Sequence, residues 1–408
     1  MPIHLDPDKC LSCFTCLVHC PVASVTTKFL GPRLIGPAFE RFRLLGVVDD
    51  DSLTYCANCK NCEIACPQNV PIASINMLAR QMQAKTNPPS FRDWICAHGE
   101  SIARATKFVP SCVSNWAITL PATRLLLDAL GIARHCPMPS FAKKHFRDHI
   151  QSIQQEKKEK KVVFFPGCYV NYYDPATGFD FVWLLPKAGY EVIVPKEFVC
   201  CGIPLISGGF EEDARKNAKK NAETLARFAR ENIPVVTVCP SCRLMLTREV
   251  KEFFPEIIQR CPTPSIFDSN DFLLRLIASH ELDIEKTDAT SLSCIYHAPC
   301  HQRALGEGLP AIELLELLNV ETENANAGCC GISGSYGFKK EKYRIAQAVG
   351  ENLFAFVNKS ASPLVASECG TCRLQIHGAT HKTCVHPVTL VRAVLDSDFS
   401  LEFLAQSK

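Results

Sequence analysis

Two stretches, "KVVFFPGC" (161–168) and "LSCIYHAPC" (292–300), decide how this chain folds. Each is a short apolar run rich in β-branched and aromatic residues, reads as a buried β-strand, and ends at a cysteine, Cys168 or Cys300. The segments beyond them repeat as well. A helix and a second β-run lead into "FVCCGIPLISGG" (198–209) in one copy and "AGCCGISGSYGF" (327–338) in the other. A further helix comes next. Residues 211–231 place Ala214, Ala218, Ala222, Leu225 and Ala229 on one face, and residues 339–357 occupy the same place in the second copy. A third β-run, "PVVTV" (234–238) or "PLVAS" (363–367), then meets a C-x2-C pair, Cys239 with Cys242 or Cys369 with Cys372. Strand, helix and strand in succession predict a parallel sheet flanked by helices. The cysteines then fall in loops beyond the strand ends, where such sheets carry their sites. The chain is read as an internal duplication.

The totals set the frame. At 408 residues two to four domains are expected. Lys plus Arg is 44 against 42 for Asp plus Glu, a net charge of +2 that argues against a general nucleic-acid binder. The 24 cysteines are the outstanding feature. A disulfide framework suits small secreted domains, and "MPIHLDPDKCLSC" lacks the charged start and apolar run of a secretory signal, so reduced thiols at regular spacing read as metal ligands. No spanning helix is expected: the most apolar stretch, 113–132, contains Pro121, Arg124 and Asp128. Four blocks emerge. They are a ferredoxin-type domain (1–90), a helical segment and linker (91–160) ending in the charged "QSIQQEKKEKK" (151–161), and the two repeats (161–285 and 286–408). The fold class is multidomain α/β and α+β.

In the first block Cys10, Cys13, Cys16 and Cys20 follow C-x2-C-x2-C-x3-C with Pro21 after. Cys56, Cys59, Cys62 and Cys66 repeat that spacing, with Pro67 after. Three thiolates at this spacing wrap one cubane, and the fourth reaches the neighbouring cluster, as in two-cluster ferredoxins. Cluster one is therefore expected on Cys10, Cys13, Cys16 and Cys66, and cluster two on Cys56, Cys59, Cys62 and Cys20. Zinc needs four ligands per ion and gives no reason for the third cysteine of each triplet.

Each repeat supplies five thiolates: Cys168, Cys200, Cys201, Cys239 and Cys242, then Cys300, Cys329, Cys330, Cys369 and Cys372. Adjacent cysteines have diverging side chains and suit an opened cluster better than a compact cube. Gly202 and Gly331 suit a positive φ or a close backbone approach. The spacing resembles the cysteine-rich CCG domain of heterodisulfide reductase subunits, a resemblance that implies non-cubane 4Fe-4S clusters. The second copy has a shorter first gap, which makes Cys294 a rival to Cys300; Cys300 is preferred because it follows its strand as Cys168 does. Cys96, Cys112, Cys136, Cys261, Cys294 and Cys384 are left over and read as small buried apolar residues. His297 and His301 flank Cys300 and could tune a cluster or handle protons. Lys339 and Lys340 read as a solvated helix start.

The phrases "CCGISGSYGFKKEKY" (329–343), "CYVNYYDP" (168–175), "GPRLIGPAFERFRL" (31–44) and "HPVTLV" (386–391) resemble the iron–sulfur (C-type) subunit of anaerobic glycerol-3-phosphate dehydrogenase over nearly the whole chain. That resemblance implies an electron-transfer subunit, non-catalytic alone. It would accept electrons from flavoprotein subunits of A and B type and deliver them to menaquinone at the cytoplasmic face of the inner membrane, as a peripheral protein. No G-x-G-x-x-G follows a strand, so the organic oxidation is expected on a partner. The alternatives are a disulfide reductase acting at the CCG clusters, the iron–sulfur subunit of a glycolate or lactate oxidase, and a zinc-stapled binding module. Residues 101–150 carry Arg104, Lys107, Arg124, Arg134, Lys143, Lys144 and Arg147 against Asp128 and Asp148, so +7 − 2 = +5. With Trp116, Leu120, Leu125, Leu126, Leu127, Leu130 and Ile132, this block is expected to meet the membrane surface.

Overall fold

A computed structural model describes residues 5–46, 50–152, 156–284 and 292–399; residues 153–155 of the expected linker and the expected boundary at 285/286 lie outside them. Each repeat forms one four-stranded parallel sheet, in the orders β2-β1-β3-β4 and β6-β5-β7-β8. The first contains β1 (Lys160–Phe164), β2 (Tyr190–Ile193), β3 (Val235–Thr237) and β4 (Ile266–Asp268). The second contains β5 (Ser293–Tyr296), β6 (Glu321–Asn324), β7 (Leu364–Ala366) and β8 (Thr383–Val385). The three β-runs expected in each copy are present, and β4 and β8 add a fourth strand that was not expected. Val163 pairs with Ile193 on one side and Val235 on the other, and Ile295 pairs with Glu323 and Val365 in the matching register. The winding direction therefore reverses between β1 and β3, and between β5 and β7. Such switch points open a crevice at the strand ends.

Alternation along the central strands sorts the core. Val162 and Phe164 enter one apolar core together with Cys294 and Tyr296 of the other repeat, whereas Val163, Phe165 and Val235 face the opposite side. Ile295 and Val365 likewise face a core of their own. Between the sheets, helix Pro175–Leu184 packs on Pro387–Leu395, and Ser269–Ala278 packs on Pro310–Leu317. The helix after β1 thus meets the helix after β8, and the helix after β5 meets the helix after β4. One core serves both repeats.

Residues 5–70 contain no strand among those described. Their short helices, Thr15–Val18 and Asn61–Ile64, each follow a residue in the left-handed region, Phe14 or Lys60. Ser12 and Asn58 are also left-handed, so the two runs share one backbone path. Helix Ile72–Thr86 fastens this region to the first repeat: Gln81 Nε2 donates to the Ile206 carbonyl (2.5 Å) and Arg80 Nη1 to the Ser207 carbonyl (2.6 Å). The middle block is a succession of short helices from Phe91–Ala97 to Phe146–Ile150. Phe146 and Ile150 of helix Phe146–Ile150 are buried in the shared core.

Candidate metal centres

The ferredoxin-type cysteines gather in the crossed pattern. Cys10, Cys13, Cys16 and Cys66 line one cavity, and Cys20, Cys56, Cys59 and Cys62 line another. The left-handed residues and single helical turns fold each triplet around its cavity, and the fourth cysteine arrives from the other run. The cradles differ in wetness. Cys13 is exposed, and its contact with the Thr15 hydroxyl (3.3 Å) holds its pKa below the ordinary value. Burial pushes Cys20 up to about 11 and drives Cys62 well above its usual range. Lys60, between Cys59 and Asn61, is fully buried. Desolvation pulls its ammonium down, but Glu63, Glu249 and Glu252 outweigh that and hold it above its usual value.

In each repeat all five cysteines meet at the strand ends flanking the switch point. Cys200 reaches Cys168 while its neighbour Cys201 reaches Cys242, which in turn touches Cys239. The second repeat copies this: Cys329 reaches Cys300, Cys330 lies 3.1 Å from Cys372, and Cys372 touches Cys369. Adjacent thiols thus touch each other and part to different further partners within one site. Hydrogen bonding from neighbouring thiols draws Cys201 down to about 6 and Cys369 down to about 5, while it pushes Cys168 and Cys372 well up, with burial adding to the rise. The turn glycines follow from the geometry. Gly202 (φ 105°) and Gly331 (φ 81°) are left-handed, and a Cβ on Gly331 would run into the Ala346 carbonyl.

These donor sets fit iron–sulfur clusters. Five thiols packed together, three of them buried and two half-buried in each repeat, cannot all ionise without cations among them. Thiolate-only sets suit such clusters. Donors aimed at sulfur are already placed. The backbone N–H groups of Ala23, Val70 and Gly331 point at Cys20 (3.5 Å), Cys66 (3.4 Å) and Cys329 (3.4 Å).

The four sets are contiguous, the first meeting the second where Cys20 feels the charge of Cys16. Cys59 feels the charge of Cys329, Cys300 feels that of Cys59, and Cys239 feels that of Cys369. His301 bridges the same three neighbours, with Nδ1 2.8 Å from the Ser241 hydroxyl and Nε2 donating to the Asn58 carbonyl (2.9 Å). Tyr169, which follows Cys168, packs so closely on Gly370, which follows Cys369, that a Cβ there would strike its ring. Across the repeat interface Arg373 pairs with Asp174 (2.8 Å) and Arg243 pairs with Glu307 (Nη2 to Oε1, 2.9 Å). Each arginine directly follows the last cysteine of its own five-thiolate set. His297 is buried, and burial pulls its imidazole down to about 4, so it is neutral.

Other expectations shift. Cys294 faces the shared core, 3.8 Å from the Thr322 hydroxyl, and does not join the second set. Cys136 is buried and Cys96, Cys261 and Cys384 are half-buried, but Cys112 is exposed, because helix Ser111–Thr119 lies on the surface with no buried residue. Lys339 is mostly buried against Asp93 (2.6 Å), and Lys340 pairs with Asp128 (2.5 Å), so this helix start is not simply solvated. In the middle block Trp116, Leu125, Leu126 and Leu130 are exposed, together with Phe108, Val109 and Val113. Ile132 is buried, however, and Arg147 turns inward to Glu100 and the Phe198 carbonyl. Glu100 escaped the sequence reading. It accepts from the Cys200 backbone N–H (2.6 Å), and a lone glutamate in "HGES" offers no pattern to find it by.

The profile of the cysteine-rich CCG domain matches residues 162–247 and 294–377, and that of the 4Fe-4S dicluster domain matches residues 6–70. Among curated proteins, the C-type subunit of the anaerobic glycerol-3-phosphate dehydrogenase of Escherichia coli (strain K12) is 36% identical over 398 residues, 95% of this chain and 98% of that protein. The B-type subunit of the fumarate reductase (CoM/CoB) of Methanothermobacter marburgensis is 25% identical over 91% of this chain and 68% of its own length. Lactate utilization protein A of Shouchella clausii is 28% identical over 53% of this chain and 90% of its own length.

Proposed function

The chain belongs to the family of C-type subunits of anaerobic glycerol-3-phosphate dehydrogenase, iron–sulfur subunits of an oxidoreductase, and from that premise we propose that it carries electrons from a partner dehydrogenase to a quinone. Cys10, Cys13, Cys16 and Cys66 hold one cubane 4Fe-4S cluster and Cys56, Cys59, Cys62 and Cys20 hold the other. The five cysteines of each repeat hold a non-cubane 4Fe-4S cluster. Clusters in these cradles would supply single-electron storage and transfer; the chain supplies their order, insulation and surroundings.

The observation that carries this reading is the contiguity of the four sets, from exposed Cys13, through Cys59, to Cys300 and Cys329, and on from Cys369 to Cys239. The first end opens on exposed apolar Leu11, Phe14 and Val18, a face suited to flavoprotein partners of A and B type. The other end adjoins Glu100 and the middle block. There exposed Phe108, Val113, Trp116, Leu125 and Leu126 lie in one block with exposed Arg134, Lys143 and Lys144, a composition that favours an anionic membrane surface. No helix among the described residues is long and apolar enough to cross a membrane. Attachment is peripheral, on the cytoplasmic face, with menaquinone as acceptor and glycerol 3-phosphate as the partner's substrate.

Anaerobic co-purification tests the reading. A flavoprotein pair that oxidises glycerol 3-phosphate should come down with the chain and reduce a menaquinone analogue only in its presence. Equal quinone reduction by the pair alone would remove the relay role. Liposome flotation with anionic lipid tests the surface: wild type should float, and Leu126→Glu with Leu130→Glu should not.

A further inference from the structure

The two cluster cradles share one cysteine pattern but differ at a buried position just before the strand-end cysteine. Three residues before its strand-end cysteine the first repeat has Phe165, and three residues before Cys300 the second has His297. Both are buried, at 0% and 1% exposure, but they meet different surroundings. Phe165 stacks edge-on against Phe198, ring centroids 4.8 Å apart, an apolar contact that needs nothing further. Nδ1 of His297 meets no hydrogen-bond partner among the described residues. A desolvated imidazole nitrogen left without a partner is unfavourable, and such orphans mark places where something else binds.

The second observation says what. A ring nitrogen of His297 and the Sγ atoms of Cys330 and Cys372 all lie within 4.8 Å of one another. Around one tetrahedral metal, bonds of about 2.0 Å to nitrogen and about 2.3 Å to sulfur put donors roughly 3.5 Å apart. A small closure of the three groups therefore suffices to share one iron.

We propose that His297 is a metal ligand at the second CCG site, its imidazole joining the thiolates of Cys330 and Cys372, whereas the first site is held by thiolates alone. The proposal rests on the iron–sulfur reading of both repeats and adds an inequality between them. A neutral nitrogen donor in a shell otherwise made of thiolates removes negative charge and raises the reduction potential, as histidine does in Rieske centres. The second CCG cluster is then the more oxidising of the two.

The full chain, labelled with 15N only in histidine and reconstituted anaerobically, is read by pulsed EPR in each paramagnetic state reached during a redox titration. The expected result is a directly bonded 15N coupling on one cluster. It should vanish in His297→Phe and persist in His301→Phe, and one potential should fall in His297→Phe while the other three stay in place. Should His297→Phe misfold, His297→Cys keeps a ligand and should retain full iron without the nitrogen coupling. Wild type with all four clusters and no bonded nitrogen overturns the ligation, as does a coupling that survives in His297→Cys. A second repeat that takes up no iron overturns the cluster reading itself, and the ligation with it.

Discussion

Residues 5–70 and the paired repeats gather thiolates by the same chemistry on opposite foundations. Among the described residues, the apolar cluster beneath the first ferredoxin-type cradle has seven buried members, two of them the candidate ligands Cys16 and Cys62. The core shared by the repeats has thirty, and its single cysteine, Cys294, faces away from the cradle. Beneath the first cradle the thiolates make up much of what is buried, whereas Val22, Phe29, Ile35 and Leu53 beside the second cradle join a core of the first repeat. In the repeats the sheets and helices are held by hydrophobic burial, and the thiolates proposed to hold metal sit at their strand ends.

The largest effect that could break this contrast is removal of all iron. Amide exchange should then rise to unprotected rates through residues 10–66, while β1, β3, β5 and β7 keep their protection. Equal loss in the sheets would show that the repeats, too, are organised by metal. Next in size, Phe164→Ala should destabilise the iron-free chain by about 3–5 kcal/mol in denaturant, because a fully buried ring leaves a cavity in the shared core. The two repeats should still unfold in a single transition; two separate transitions would mean that the core is not shared.

A smaller effect on the fold is expected from Cys201→Ser and Cys330→Ser. Each should remove one cluster, about four of roughly 16 irons, and leave the ferredoxin-type EPR signals unchanged, because no thiolate belongs to two sets. Loss of every signal in either variant would join the two regions electronically in a way their separate cradles do not allow. The smallest effect concerns two caps at equivalent places. Asp268 begins the helix after β4 and His386 the helix after β8, each accepting backbone N–H groups at its helix start. Burial raises Asp268 to about 6, so its stabilising contribution is lost as pH rises from about 3.8 through 6. Burial lowers His386 to about 3, so its contribution is lost as pH falls from about 6.5 towards 3. Relative to wild type, Asp268→Asn should tilt stability of the iron-free chain upward with pH across 4–6, and His386→Asn should tilt it downward. Parallel curves would show that neither cap titrates with folding.

Much of this architecture was legible because ligand spacing is dictated by the metal. The run Cys10, Cys13, Cys16 and Cys20, repeated at Cys56, Cys59, Cys62 and Cys66, anticipated the crossing of Cys66 and Cys20 between cradles. The strands ending near Cys168 and Cys300 were legible because Val162 to Phe165 are buried on both faces and so read as a continuous apolar run. The strands β4 and β8 were not, because unlike "PVVTV" and "PLVAS" they carry no apolar run that leads into a cysteine pair. The middle block kept its secret for another reason. Leu125, Leu126 and Leu130 are exposed while Leu127 packs against the cluster of Ile132, Ala133 and Cys136, and local periodicity does not contain that division. Lys60 and Glu100 were invisible because a single charged residue acquires its role only from partners distant in sequence: Glu249 for one and Cys200 for the other.

The reciprocal pairs Arg243–Glu307 and Arg373–Asp174 have a consequence beyond their own strength. A contact in which each half offers the same two groups to the other is isologous, the arrangement that a two-fold axis imposes on identical subunits. Here both halves lie on one polypeptide, so the axis is only approximate and the genetic constraint behind it is gone. In a true homodimer any replacement at the position of Phe165 would appear twice, changing both cradles together. Covalent fusion lets one half keep phenylalanine while the other takes histidine, and two metal centres with the same scaffold become free to differ.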